Sequence, residues 1–114
     1  MTATAPLKPA VFHILLALAD HDAHGYAVMQ AVREQSGGRV PLQTGSFYRH
    51  LSRLLGAGLV IEAPARKGHD DPRRGAYYRL TPSGREVLLA ERKRLTELVS
   101  AMSGLRAASR KEPV

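Results

Sequence analysis

Ser46, Arg49, His50 and Arg53 carry the chemistry most worth explaining in this chain. They lie within the stretch QTGSFYRHLSRLLGAGL, residues 43–59. Two guanidiniums, an imidazole and a hydroxyl are hydrogen-bonding groups suited to base edges and phosphates. None of them forms a nucleophile–base set. Arg49 and Arg53 are four residues apart and project side by side from a helix. Thr44, Gly45 and Ser46 stand at the start of that helix, where unpaired N–H groups suit a phosphate. A basic, hydrogen-bonding helix face is what a DNA major groove requires of a reading helix.

Such a face needs an anchor, and the same stretch supplies it. Phe47, Leu51, Leu54 and Leu55 recur at i, i+4, i+7 and i+8, one apolar stripe at the helical period. Tyr48 sits at the edge of the stripe, with its hydroxyl placed to reach a phosphate. Thr44 is the expected N-cap, and Gly56-Ala57-Gly58 ends the helix. A solvated amphipathic helix is the competing reading. The following elements and the charge of the chain favour DNA.

Around this helix the sequence predicts six further elements. A first helix begins near Pro9 and runs to about Ala19, almost without a polar face. Such a helix must be covered all round. One face therefore joins the core and another, through Phe12, Leu15 and Leu16, meets a second subunit. Asp20 to His24 is read as a polar turn. A second helix spans about Gly25 to Ser36 and ends at Gly37-Gly38. Val60 to Ala65 and Ala76 to Leu80 form an antiparallel hairpin. Its loop, Arg66 to Gly75, holds Arg66, Lys67, Arg73 and Arg74, candidate contacts to phosphate or the minor groove. Asp70 and Asp71 partly neutralise it.

Thr81 and Pro82 mark the start of a last helix running to about Ala107. At about 26 residues it would be roughly 39 Å long, too long to pack wholly on so small a domain. Leu88, Leu95 and Met102 repeat at seven, flanked by Leu98, Val99 and Leu105. This seam implies antiparallel or parallel pairing with a partner. The fold class is mainly α with a small antiparallel β-hairpin: a winged helix-turn-helix plus a long C-terminal helix. Residues 1–8 and 108–114 are expected to be disordered tails. Residues 9–80 form the DNA-binding domain and 81–107 the dimerisation helix.

The chain has 114 residues, 17 basic against 10 acidic, and a net charge of +7. An anionic partner follows, double-stranded DNA before a membrane. There is no Cys, which excludes disulfides, zinc fingers and thiol catalysis. Asp20, His21, Asp22 and His24 crowd one turn without a metal-site spacing, so capping and solvation explain them better. His13 reads as a core or interface histidine. No metal, cofactor or catalytic set is expected, and the chain reads as cytoplasmic. Two other classes fit the sequence less well. A winged-helix protein-interaction module without specific DNA binding would carry an acidic or apolar third helix, unlike Arg49 and Arg53. A small enzyme would need a catalytic set that no motif supplies.

Three stretches add a resemblance: ILLALADHDAHGYAVMQ (14–30), GSFYRHLSRLLGAGLV (45–60) and YYRLTPSGREVL (77–88). In this order and spacing the chain resembles PadR-family transcriptional regulators of the short type with one C-terminal helix. The resemblance implies a homodimeric repressor on a pseudo-palindromic operator, paired through the last helix with the first assisting. It implies DNA contacts by Tyr48 and the polar face of the third helix, with Tyr26 near the backbone. In some members a small aromatic or phenolic effector binds near the dimer interface. This chain has no Trp, so only an aliphatic pocket, from Leu98, Val99 and Met102, is expected here.

Overall fold

The structure is a computed structural model, and it describes residues 6–64 and 75–107. Helix α1, Pro9–Ala17, starts with Pro at its first turn, where the missing N–H costs nothing. It stops two residues short of the expected Ala19. Ile14 and Leu15 are fully buried, and Leu18 beyond the helix nearly so. Leu15 is thus a core residue of its own chain and is corrected from the expected interface set. Leu16, its neighbour, remains 37% exposed.

A two-residue strand, β1 (Ala23–His24), follows where a plain polar turn was expected. Helix α2, Gly25–Gln35, begins at once, and the His24 imidazole Nδ1 accepts its Ala27 N–H at 3.2 Å. Gly37, at φ +61°, ends α2 by sending its N–H to Glu34 while Gly38 reaches Arg33.

Helix α3, Thr44–Gly56, buries Phe47, Leu51 and Leu54 against α1 and α2. Its N-cap is Gln43, without a side-chain bond, so Thr44 is the first helical residue and not the cap. Gly58, at φ +75°, turns the chain into β2, Val60–Ala63. Strand β3, Tyr77–Leu80, pairs antiparallel with β2, Val60 facing Leu80 and Ala63 facing Tyr77. It also pairs with β1, giving a three-stranded sheet in the order β1-β3-β2. Arg79 of β3 grips Asp22 beside β1, with its Nη2 at 2.9 Å from the carboxylate.

Helix α4, Pro82–Ala101, has the expected start: the Thr81 hydroxyl accepts the Gly84 N–H at 3.0 Å. The same hydroxyl donates to the Gly58 carbonyl at 2.6 Å, tying α4 to the turn after α3. The helix ends at Ala101 rather than Ala107, so its 20 residues span about 30 Å. The last buried residue along it is Glu91, and every described residue after Arg94 is exposed, its apolar seam included.

Candidate nucleic-acid interface

With Phe47, Leu51 and Leu54 inside, the opposite side of α3 is turned outward. Thr44, Gly45, Tyr48, Arg49 and Arg53 are exposed, and Ser46 and His50 are half-buried. Ser46 Oγ donates to the Gln43 carbonyl at 3.0 Å, which leaves its lone pairs to accept from a ligand. No hydrogen bond or ion pair to another described residue holds Arg49 or Arg53. The pK of His50 lies below its ordinary 6.5. Burial is the main cause, followed by the charges of Arg53, Lys8 and Arg49. Burial and three nearby cations thus all disfavour the charged imidazole.

Tyr48 is 46% exposed and packs edge-on against Phe47, ring centroids 4.8 Å apart. Its hydroxyl lies over Gly25, the first residue of α2. A Cβ at Gly25 would sit 2.6 Å from that oxygen. The glycine of the His24-Gly25-Tyr26 motif is thus explained by the close approach of a tyrosine from α3. Tyr26 is 66% exposed and accepts a hydrogen bond from Gln30 Nε2 at 2.6 Å. Both tyrosines and the α3 cations belong to the same helix pair, α2 and α3.

Arg66, Lys67, Arg73 and Arg74 lie outside the described residues. Lys8 is the residue that sequence reasoning passed over. It fell in the expected tail, yet Leu7 beside it is half-buried on the core and Lys8 itself is felt by His50. Only its basic character hinted at this. Among Asp20 to His24, His24 turns inward to cap α2 and Asp22 holds Arg79. No group of three or more His, Asp or Glu among the described residues is placed to hold a metal. Among them, too, no helix is long and apolar enough to cross a membrane.

A second feature lies on the other side of α1. Between α1 and α4 runs a groove of about 470 Å³, walled by Phe12, Leu16, Leu88, Leu89, Leu95 and Val99. Arg85, whose Nη2 donates to the Ala19 carbonyl at 3.0 Å, and Arg92 also line it. Of the three residues expected to wall an aliphatic pocket, Val99 does so, whereas Leu98 and Met102 are not among its walls. Phe12 makes the groove partly aromatic.

The profile of the transcriptional regulator PadR-like family matches residues 14–90. This chain belongs to that family. It is 35% identical over 92 residues to a transcriptional regulator of Mycobacterium tuberculosis, covering 81% of this chain and 80% of that protein. It is 41% identical over 78 residues to an uncharacterized 37.1 kDa protein of a Streptomyces fradiae transposon. That match covers 68% of this chain but only 20% of the transposon protein. A PadR family transcription regulator from Clostridium difficile superposes with a TM-score of 0.69 at 22% identity, over 85% of this chain and 97% of that one. A PadR-like transcription factor from Bacteroides fragilis gives a TM-score of 0.59 at 26% identity, over 82% and 88%. This PadR-like chain is therefore a member of a family of transcription regulators with the winged-helix fold.

Proposed function

We propose that this PadR-like chain is a homodimeric, sequence-specific DNA-binding repressor that reads a pseudo-palindromic operator. The observation that carries the reading is the division of α3. Its apolar stripe is buried, while Ser46, Arg49, His50 and Arg53 are presented together without acidic partners among the described residues. Arg49 and Arg53 read base edges in the major groove, where Arg recognises guanine through two acceptors. Thr44, Tyr48 and Tyr26 fix the helix on the sugar-phosphate backbone. Arg66, Lys67, Arg73 and Arg74 add wing contacts.

Pairing through α4 and the exposed side of α1 supplies the second reading helix. The residues assigned to it are Phe12, Leu16, Leu88, Leu95, Leu98, Val99, Met102 and Leu105. Two reading helices then stand about 34 Å apart, one turn of DNA. The groove between α1 and α4 is the place for a small aromatic or phenolic effector that releases the DNA, and Phe12 supports a ring there.

A gel-shift titration against the DNA upstream of the gene, between 50 and 200 mM salt, tests the reading. The expected result is specific binding that weakens steeply with salt. Arg49→Ala is expected to lose about 1–3 kcal/mol of discrimination against random DNA, whereas Arg73→Ala weakens all sequences about equally. Unchanged affinity and preference in Arg49→Ala would overturn the assignment of α3.

A further inference from the structure

Tyr26 is the most exposed of the four tyrosines, yet it is held both at its ring face and at its hydroxyl. The His24 imidazole stacks beside the ring, inclined by only 11° with centroids 6.5 Å apart. That imidazole is itself fixed. Its Nδ1 accepts the Ala27 N–H at 3.2 Å, and the ring of Tyr77 meets it edge-on at 5.5 Å. The β1–β3 register also pairs the two residues along the backbone. At the other end of Tyr26, the half-buried Gln30 donates from Nε2 to the phenol oxygen at 2.6 Å. A side-chain pair one helical turn apart is a weak stabiliser, and ordering an exposed side chain costs entropy. The stability of α2 is thus a poor reason for holding this tyrosine so completely.

The direction of the Gln30 bond supplies a better one. A phenol hydroxyl has one proton to give and lone pairs to receive. Gln30 fills a lone pair, so the proton is left to be given outward. A hydroxyl that already accepts a hydrogen bond is also polarised into a stronger donor. The place where it does so lies beside the reading helix. Tyr48 of α3 brings its own hydroxyl to 2.6 Å from where a Cβ on Gly25 would stand, and Gly25 is the chain neighbour of Tyr26. A fixed, neutral O–H at the edge of a basic helix face suits a phosphate oxygen, since uncharged side chains share the task of setting register on the backbone.

We propose that Gln30 is a positioning residue for DNA binding: it directs the hydroxyl proton of Tyr26 onto a phosphate oxygen of the backbone. The proposal rests on the DNA-binding reading above. Gln30 acts through Tyr26 and needs no contact of its own with the DNA. Because neither side chain is charged, the contact adds affinity on any sequence without adding to counterion release.

The test measures binding of the full chain to its upstream DNA and to a random duplex across a salt series. Tyr26→Phe keeps the ring and removes only the hydroxyl. It should weaken binding to both DNAs roughly tenfold per chain. Gln30→Met keeps the length and helix propensity and removes the donor. It should weaken binding about two- to fivefold for a pair of chains. Added to Tyr26→Phe, it should cost nothing more, because its effect passes through the missing hydroxyl. All four proteins should share one slope of log affinity against log salt, whereas loss of a cationic contact would make it shallower by about 0.9. Thermal melting should stay near the parent value throughout. Parent affinity in Tyr26→Phe overturns the contact, and a shallower slope in it overturns the uncharged donor. No loss from Gln30→Met, or the same loss with and without the hydroxyl, overturns the positioning role, since a merely structural effect does not depend on that hydroxyl. A parent that binds no DNA overturns the functional reading, and this proposal with it.

Discussion

Gly84→Ala should be among the most damaging single-methyl additions to this chain. Gly84 is buried in the first turn of α4. A Cβ there would fall onto the Leu59 carbonyl oxygen and lie 2.6 Å from Leu80 Cδ1. The backbone oxygen is not a movable side-chain tip, since it accepts the Thr81 N–H at 3.1 Å. The start of α4 must therefore lift away. Lifting breaks the Thr81 cap on the Gly84 N–H, worth about 1 kcal/mol. Overpacking adds about 1–3 kcal/mol. A total of about 2–4 kcal/mol lowers the melting temperature by roughly 8–16 °C for a domain of this size. Thermal melting followed by circular dichroism at one fixed protein concentration reads it, because self-association would make the midpoint concentration-dependent. Gly56→Ala is the control: it lies in α3 with nothing within 4 Å of the new Cβ. It should hold or raise the midpoint, by up to about 1 kcal/mol of helix propensity. A Gly84→Ala protein melting within about 2 °C of the parent would refute the packing argument.

Gly25→Ala presses on a side-chain tip, so its cost should fall on function: Tyr48 is displaced, DNA affinity drops, and melting moves little. Loss of stability without loss of affinity would count against Tyr48 as a backbone contact. His50 gives a pH signature. Its pK is lower folded than unfolded, so its contribution is complete above pH 6.5 and is lost as pH falls through 6.5 toward the native value. His50→Asn should therefore flatten the decline in stability between pH 7.5 and 5 in chemical denaturation, and an equal decline would dismiss burial at this site. Val99→Glu places a charge on a side chain that is 64% exposed. It should leave the helical signal intact while sedimentation shifts to a monomer and operator affinity falls; a dimer of parent strength would remove Val99 from the interface.

The reading helix was legible because its period is unambiguous. Phe47, Leu51 and Leu54 mark one face and Arg49 and Arg53 the other, and the burial follows that pattern. The start of α4 was equally plain, since Thr81 and Pro82 are a capping residue and a first-turn residue in order. Helix α1 was legible only as a helix. When nearly every residue is apolar, period cannot tell the fully buried Leu15 from the exposed Leu16. Strand β1 was hidden for another reason. Two residues in a polar turn carry no local strand pattern, and their partners lie far along the chain, as the 57-residue separation of Asp22 and Arg79 shows. Lys8 was placed in the tail because a single Leu7 among small residues carries no period to show that it packs on the core.

Helix α4 has two halves with different physical roles, and the balance between them bears on the proposed dimer. As far as Glu91, its last buried residue, it belongs to its own domain, held by the Thr81 hydroxyl and the close packing at Gly84. Beyond Glu91 it offers Leu95, Leu98, Val99 and Met102, followed by Leu105; with Leu16 and Leu89 these side chains are 37% to 75% exposed. Full burial of such side chains is worth about 1.5–3 kcal/mol each, and about half of that is still to be gained. Two chains together then stand to gain roughly 10–20 kcal/mol, against an association cost of about 4–15 kcal/mol. A partner covering only the end of α4 would leave out Leu16 and Leu89 and come close to break-even. The proposed pairing therefore includes the groove beside α1. The effector proposed for that groove would then compete with the side chains proposed for pairing.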